Sequence, residues 1–193
     1  SFVPVVPLGG RFVAHFWRLL NDLDIPHATL LDLDLGRRHG GSNTIRSCLR
    51  SLADIGNNFR DNAQYLLDNV DPDEADQLTD QNLLDGDIQV NWLQAFREEG
   101  VFFSYPIDLD FAMLTAFPQA YQVPNPGGRG PMGGIHSKKI ATLKTGGEPS
   151  LYPHHYDDAF KWYPYLFLSR SKPETHLVAF SRIPDGDLST SAP

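Results

Sequence analysis

The chain has 193 residues, 41% of them hydrophobic and 21% charged, with a formal net charge of −8. That length buries a full core without crosslinks, and no apolar run is long enough to span a membrane. The acidic balance argues against a generally basic nucleic-acid surface, although an acidic pocket that loads divalent cations can still present them to a phosphodiester. The single cysteine, Cys48, excludes an internal disulfide and fits a reducing, cytoplasmic setting. With its first residues already inside a strand-like run, the sequence reads as a piece of a longer protein.

In chain order, residues 3–7 form a β-like run closed by Gly9 and Gly10. Phe12, Val13, Phe16, Leu19, Leu20 and Leu23 then recur at helical spacing. A second apolar run ends in Leu31-Asp32-Leu33-Asp34-Leu35-Gly36-Arg37-Arg38. Strand, helix and strand in this order predict a parallel pair with a right-handed crossover. In a strand, positions i and i+2 share a face, so Asp32 and Asp34 are expected to leave the sheet side by side at its C-terminal edge, where open α/β sheets bind ligands. Two carboxylates held that close repel unless a cation lies between them, and oxygen-only donors suit Mg²⁺, Mn²⁺ or Ca²⁺. The plainer alternative has Asp34 capping the next helix and Asp32 solvated.

Beyond Gly40 and Gly41, Ser42 or Asn43 is positioned to cap a helix carrying Arg46, Cys48, Leu49, Leu52 and Ile55. Arg46 and Arg50 share a face, and a solvated helix surface is their default role. Residues 57–87 are rich in acids and amides, anchored by Tyr65, Leu66 and Leu67. A short helix over 91–99, facing inward through Trp92, Leu93 and Phe96, feeds a strand over 101–103. There Ser104 is followed by Pro106-Ile107-Asp108-Leu109-Asp110, a second paired-carboxylate segment where strand turns into helix. Asp108 is positioned either to gain from that helix's dipole or to complete a metal site with Asp32 and Asp34.

Residues 124–134 are a Gly/Pro-rich loop, and a P-loop motif is absent from the sequence. Lys138, Lys139 and Lys144 form a small basic segment. His154-His155 with Asp157-Asp158 lack the one-face spacing of zinc motifs. Aromatics at Phe160, Trp162, Tyr163, Tyr165 and Phe167 predict a helix packed on the sheet. Ser171-Lys172-Pro173 with Thr175-His176-Leu177 precedes a final short helix and a polar tail.

Taken together, Val5-Val6-Pro7-Leu8-Gly9-Gly10, the Asp32/Asp34 segment, Val101-Phe102-Phe103-Ser104 with Pro106-Ile107-Asp108-Leu109-Asp110, and Ser171-Lys172-Pro173 with Thr175-His176-Leu177 resemble the Toprim domain of OLD (overcoming lysogenization defect) family nucleases, most closely the second class. The resemblance implies an α/β, Toprim-like (Rossmann-like) fold over residues 1–185, a mainly parallel sheet with helices on both faces that lacks its first strand here, and a polar tail over 186–193. It implies a Mg²⁺- or Mn²⁺-dependent DNA endonuclease or nickase, fused behind an ABC-type ATPase that would supply the only use of ATP. Asp32, Asp34, Asp108 and Asp110 would be the carboxylates of a two-metal site. Lys172, with Lys139 as the second choice, would be the active-site lysine stabilising charge on the phosphorus. Arg37 would position phosphate and Ser104 would orient a ligand or water. The family's upstream glutamate and its ATPase lie outside this sequence. The rival expectations are a non-catalytic Toprim-like module whose acidic edge binds metal only for stability or which serves as a homodimer or partner surface, and a phosphatase or phosphotransferase using the first Asp of a strand-end Asp-x-Asp as nucleophile.

Overall fold

The computed structural model describes residues 4–7, 13–55, 72–84, 86–184 and 186. The architecture is mixed α/β with helix predominant. The expected extended sheet reduces, among the described residues, to two strands, β1 (Thr29–Asp32) and β2 (Val101–Ser104). Thr29 N donates to Gly100 O at 2.9 Å and Leu33 N to Ser104 O at 3.3 Å. The partner number rises with the donor number, which is the register of a parallel pair. Residues 4–7 are exposed and not in a strand, which corrects that part of the expectation. Pro4 and Pro7 lack the N–H a ladder requires, so this run cannot pair regularly along its length. Val3, Leu8, Gly9, Gly10, Phe12, Tyr65, Leu66, Leu67 and the tail over 187–193 fall outside the described residues.

The chain divides into two compact units, one of residues 1–30 and 42–102, the other of 31–41 and 103–193. In the first, α1 (Val13–Asp22) buries Val13 and Trp17, and the Trp17 indole N–H donates to Thr29 Oγ1 at 2.8 Å. Helix α2 (Ser42–Asp54) buries Ile45, Cys48 and Leu52. Arg46 on α2 donates to the carbonyls of Ala75 and Leu78, at 3.1 and 2.9 Å, so this arginine holds a chain turn. Helix α3 (Gly86–Glu98) begins earlier than its apolar pattern suggests and buries Trp92, Ala95 and Phe96.

The second unit is built on aromatic packing. Helix α4 (Leu109–Ala116) is followed by the single turn α5 (Pro118–Tyr121), then α6 (Ile135–Leu143), α7 (Asp157–Tyr163), a π-type turn (Pro164–Leu168) and α8 (Lys172–Phe180). Phe111 of α4 packs against Tyr156, Phe160 and Tyr163, with ring centroids 5.0 to 6.1 Å apart. Such tilted ring pairs add about 0.5–1.5 kcal/mol each beyond area burial. This core makes a rigid support for the charged groups set into it.

Candidate functional site

The site belongs to the second unit and starts in the turn after β1. Leu33 and Leu35 are fully buried, and between them Asp34 adopts φ 55°, a left-handed conformation that Asp tolerates better than most residues. Asp34 therefore does not continue the strand, and its side chain is not related to Asp32 by the two-residue alternation of a pleat. Gly36, His39 and Gly41 are left-handed too, at φ 71°, 66° and 55°. Gly40 lies so close under this turn that a Cβ there would fall 2.0 Å from Asp34 O. Strained turns of this kind cluster at functional sites. Here the turn is fastened by Gly41 N donating to Leu33 O at 2.7 Å, Tyr152 Oη to Leu35 O at 2.7 Å and Glu148 N to Gly36 O at 2.9 Å.

Asp32 ends β1. Its Oδ1 accepts from Ser104 Oγ at 2.8 Å and from Leu109 N at 3.3 Å. Its Oδ2 has no hydrogen-bond partner among the described residues, and the residue as a whole is exposed. Partial burial of the carboxyl, then the negative charges of Asp108 and Asp34, push its pKa above the ordinary value, against the lowering pull of Ser104 and Leu109 N. Ser104 is itself buried and spends its hydroxyl proton on Asp32, with Leu31 O as a second acceptor at 3.3 Å. It orients a carboxylate.

Asp108 is the N-cap of α4, with Oδ1 accepting from Phe111 N at 2.9 Å. Its Oδ2 accepts from Tyr163 Oη at 2.6 Å and lies 2.9 Å from Arg37 Nη2. The capping and functional expectations for Asp108 thus meet in one buried carboxylate. Arg37 also donates to Asp34 Oδ1 at 2.7 Å, to Tyr163 Oη at 3.2 Å and to Thr142 O at 3.3 Å. Burial opposes its charge, yet Asp108 and the groups around it push its pKa higher still, so the guanidinium stays charged. Tyr163 is pushed up by burial and by Asp108 and stays protonated. The cation that sequence logic demands between neighbouring carboxylates is, for Asp34 and Asp108, the side chain of Arg37. Nothing in the Arg37-Arg38 pair after the turn announced this, because the contact depends on Asp108, 71 residues from Arg37 in sequence.

Asp110, in the first turn of α4, is buried and faces α8. Its Oδ2 lies 2.5 Å from Lys172 Nζ and its Oδ1 2.9 Å from His176 Nε2. His176 Nδ1 in turn meets Tyr121 Oη at 2.6 Å. Burial and then Asp110 push the Tyr121 hydroxyl up to about 12, so it donates to Nδ1 and leaves the Nε2 proton for Asp110. Lys172 follows the N-cap Ser171, whose Oγ accepts from Glu174 N at 3.5 Å. The Ser-x-x-Glu spacing and Pro173 are ordinary helix-start signals. Lys139 is placed differently: its Nζ donates to Tyr152 O at 3.0 Å and lies 2.8 Å from Asp157 Oδ1. It therefore braces α6 against the start of α7 and is already committed there.

Among the described residues, no group of three or more His, Cys, Asp or Glu side chains is arranged to hold a metal ion. Asp32 and Asp34 nonetheless present hard oxygen donors of the kind Mg²⁺ and Mn²⁺ take, and Mg²⁺ is commonly held by one or two carboxylates with water completing its shell. No helix of the described residues is long and apolar enough to cross a membrane. The chain matches no family model, no curated protein and no solved structure.

Proposed function

We propose that this chain is the metal-dependent, Toprim-like DNA endonuclease or nickase domain of a larger protein that also carries an ABC-type ATPase. The observation that carries the reading is Asp32: a strand-end carboxylate fixed from behind through Oδ1 and open in front through Oδ2, with two further acids close enough to perturb it. Asp32 and Asp34 would hold a Mg²⁺ or Mn²⁺ ion. When bound, the ion would supply water activation and charge stabilisation for phosphodiester hydrolysis.

The chain's own groups then divide the work. Ser104 and Leu109 N fix the direction of Asp32. Arg37 holds Asp34 in place and, at one-tenth exposure, contributes to the phosphate field through its charge and not by contact. Asp108 anchors Arg37 and caps α4, which leaves it little capacity to ligate a second cation. Lys172, half exposed, would stand toward the scissile phosphate and offset charge developing there.

The same closure of Asp108 by Arg37 and Tyr163 favours a second reading, a non-catalytic scaffold. One experiment separates the two: Mn²⁺ titration of the chain by calorimetry, followed by a supercoiled-plasmid assay with Mg²⁺ or Mn²⁺. The nuclease reading expects Mn²⁺ binding that Asp32→Asn removes, and chelator-sensitive nicking lost in the same variant. Mn²⁺ affinity and plasmid integrity unaffected by Asp32→Asn would leave the scaffold.

A further inference from the structure

Helix α8 places Lys172 and His176 four residues apart and hence on one face, and each reaches a different oxygen of the same buried carboxylate. A lysine in the first turn of a helix stands at the positive end of the dipole, where a cation is disfavoured. Asp110 offsets that, and Asp110 is itself in the first turn of α4, where its charge is favoured. The chain of contacts runs Tyr121 Oη, His176 Nδ1, His176 Nε2, Asp110 Oδ1, Asp110 Oδ2, Lys172 Nζ, with separations of 2.6, 2.9 and 2.5 Å. Tyr121 is fully buried, and the His176 ring is packed edge-on to Tyr121 and against Phe167 and Phe180. The lysine end is the most exposed part of this series, at 51% against 19% for His176 and 12% for Asp110.

We propose that Asp110, with His176 and Tyr121 behind it, is a positioning device for Lys172 and not a metal ligand. The proposal rests on the reading of Lys172 as the residue that meets the phosphodiester. The two hydrogen bonds to Asp110 Oδ1 and from Tyr121 lock the carboxylate's rotation, so that Oδ2 holds the ammonium in one direction. Without them a half-exposed lysine on four rotatable bonds would sample many. A transition-state cation has to be preorganised, and here the support comes from a largely buried, hydrogen-bonded network.

The test measures the lysine itself. In limited acetylation with an amine-reactive ester, followed by mass spectrometry, an ammonium held in an ion pair reacts slowly. Asp110→Asn should raise the Lys172 labelling rate by roughly three- to fivefold, the factor corresponding to loss of a partly exposed ion pair. His176→Gln and Tyr121→Phe should raise it by less, while exposed Lys161 serves as an internal control that stays constant. Tyr121→Phe keeps the ring and its packing, so it reports on the hydroxyl even if Asp110→Asn folds poorly. Lys172 labelling that matches Lys161 in the parent and is unchanged by these variants overturns the proposal. So does a loss of Mn²⁺ affinity in Asp110→Asn, which would make Asp110 a ligand. If the parent shows neither Mn²⁺ binding nor nicking, the nuclease reading fails, and the labelling pattern still decides whether the device exists. Where nicking is present, Asp110→Asn should lower kcat with KM for plasmid and Mn²⁺ affinity unchanged.

Discussion

Arg37 Nη2 and Asp108 Oδ2 lie 2.9 Å apart with side chains 10% and 7% exposed, the most enclosed ion pair among the described residues, and they join the turn after β1 to the start of α4. Removing the guanidinium leaves Asp108 buried beside Tyr163 and leaves Asp34 without its 2.7 Å partner. Breaking a buried pair from one side costs about 3–5 kcal/mol. Arg37→Gln should therefore lower the unfolding free energy from urea titration by that amount, with a correspondingly lower midpoint. Arg37→Lys should recover only part of it, because an ammonium cannot span two carboxylates, a phenol and a carbonyl with a planar fork.

This pair also shows where the sequence stops being informative. Strand-length apolar runs over 29–31 and 101–103 and the helical spacing from Val13 onward are local patterns, and each produced the expected element. Asp108 at a helix start was legible for the same reason, since a cap needs only its own following residues. The run over 3–7 had a strand's composition, but two prolines remove donors, and its described residues 4–7 are not in a strand. The two Asp-x-Asp spacings were visible. What each acid faces was not: Asp34 leaves the pleat through a left-handed turn, and Asp110 is satisfied by Lys172 and His176 from a helix more than sixty residues later. The Tyr121–His176–Asp110 series has no spacing signature, because three separate elements supply it.

Gly40 is required by contact and not by flexibility. A Cβ there would overlap Asp34 O at 2.0 Å, and the opposing atom is backbone, which cannot swing away. Gly40→Ala should cost about 3 kcal/mol or more, in line with overpacking that forces backbone shifts. Gly86 begins α3 with nothing within 4 Å of an added Cβ, so Gly86→Ala should be neutral or stabilise by up to about 1 kcal/mol. Thermal unfolding of the two variants side by side checks both.

Lys139 and Asp157 give a third comparison. Hydrogen bonding from Lys139 is the main influence holding the Asp157 carboxyl below its ordinary range, with burial opposing and His154 assisting. Asp157→Asn removes the negative charge opposite an almost wholly buried ammonium and leaves it facing neutral partners, the retained amide oxygen, Tyr152 O and the Phe160 ring, 5.6 Å from its centroid. Asp157 is partly exposed, so screening reduces the loss to about 1–2 kcal/mol. Because the folded pKa is depressed, this contribution is present above the unfolded value of about 3.9 and is lost as pH falls through the folded value. The stability difference between parent and Asp157→Asn should therefore shrink as unfolding is followed to acid pH.

Asp32 titrates with the opposite sign. Its folded pKa is raised, first by burial and then by Asp108 and Asp34, so between the unfolded value of about 3.9 and the folded value the native state binds more protons than the unfolded one. Stability then falls as pH rises through that window, and the unfavourable charge is fully present at neutral pH. Asp32→Asn keeps an oxygen to accept from Ser104 Oγ and Leu109 N and discards the charge. Its melting temperature should equal the parent's near pH 3, where both side chains are neutral, and exceed it at pH 7. The gain should stay below about 1 kcal/mol because the carboxylate is exposed and screened. Mn²⁺ should reverse the order at pH 7: the ion relieves the repulsion that destabilises the parent, raising its melting temperature, and gives the variant no comparable rise. Equal Mn²⁺ shifts in the two proteins, or an Asp32→Asn variant less stable than the parent at pH 7 without metal, would show that the charge on Asp32 is not what the site is built around.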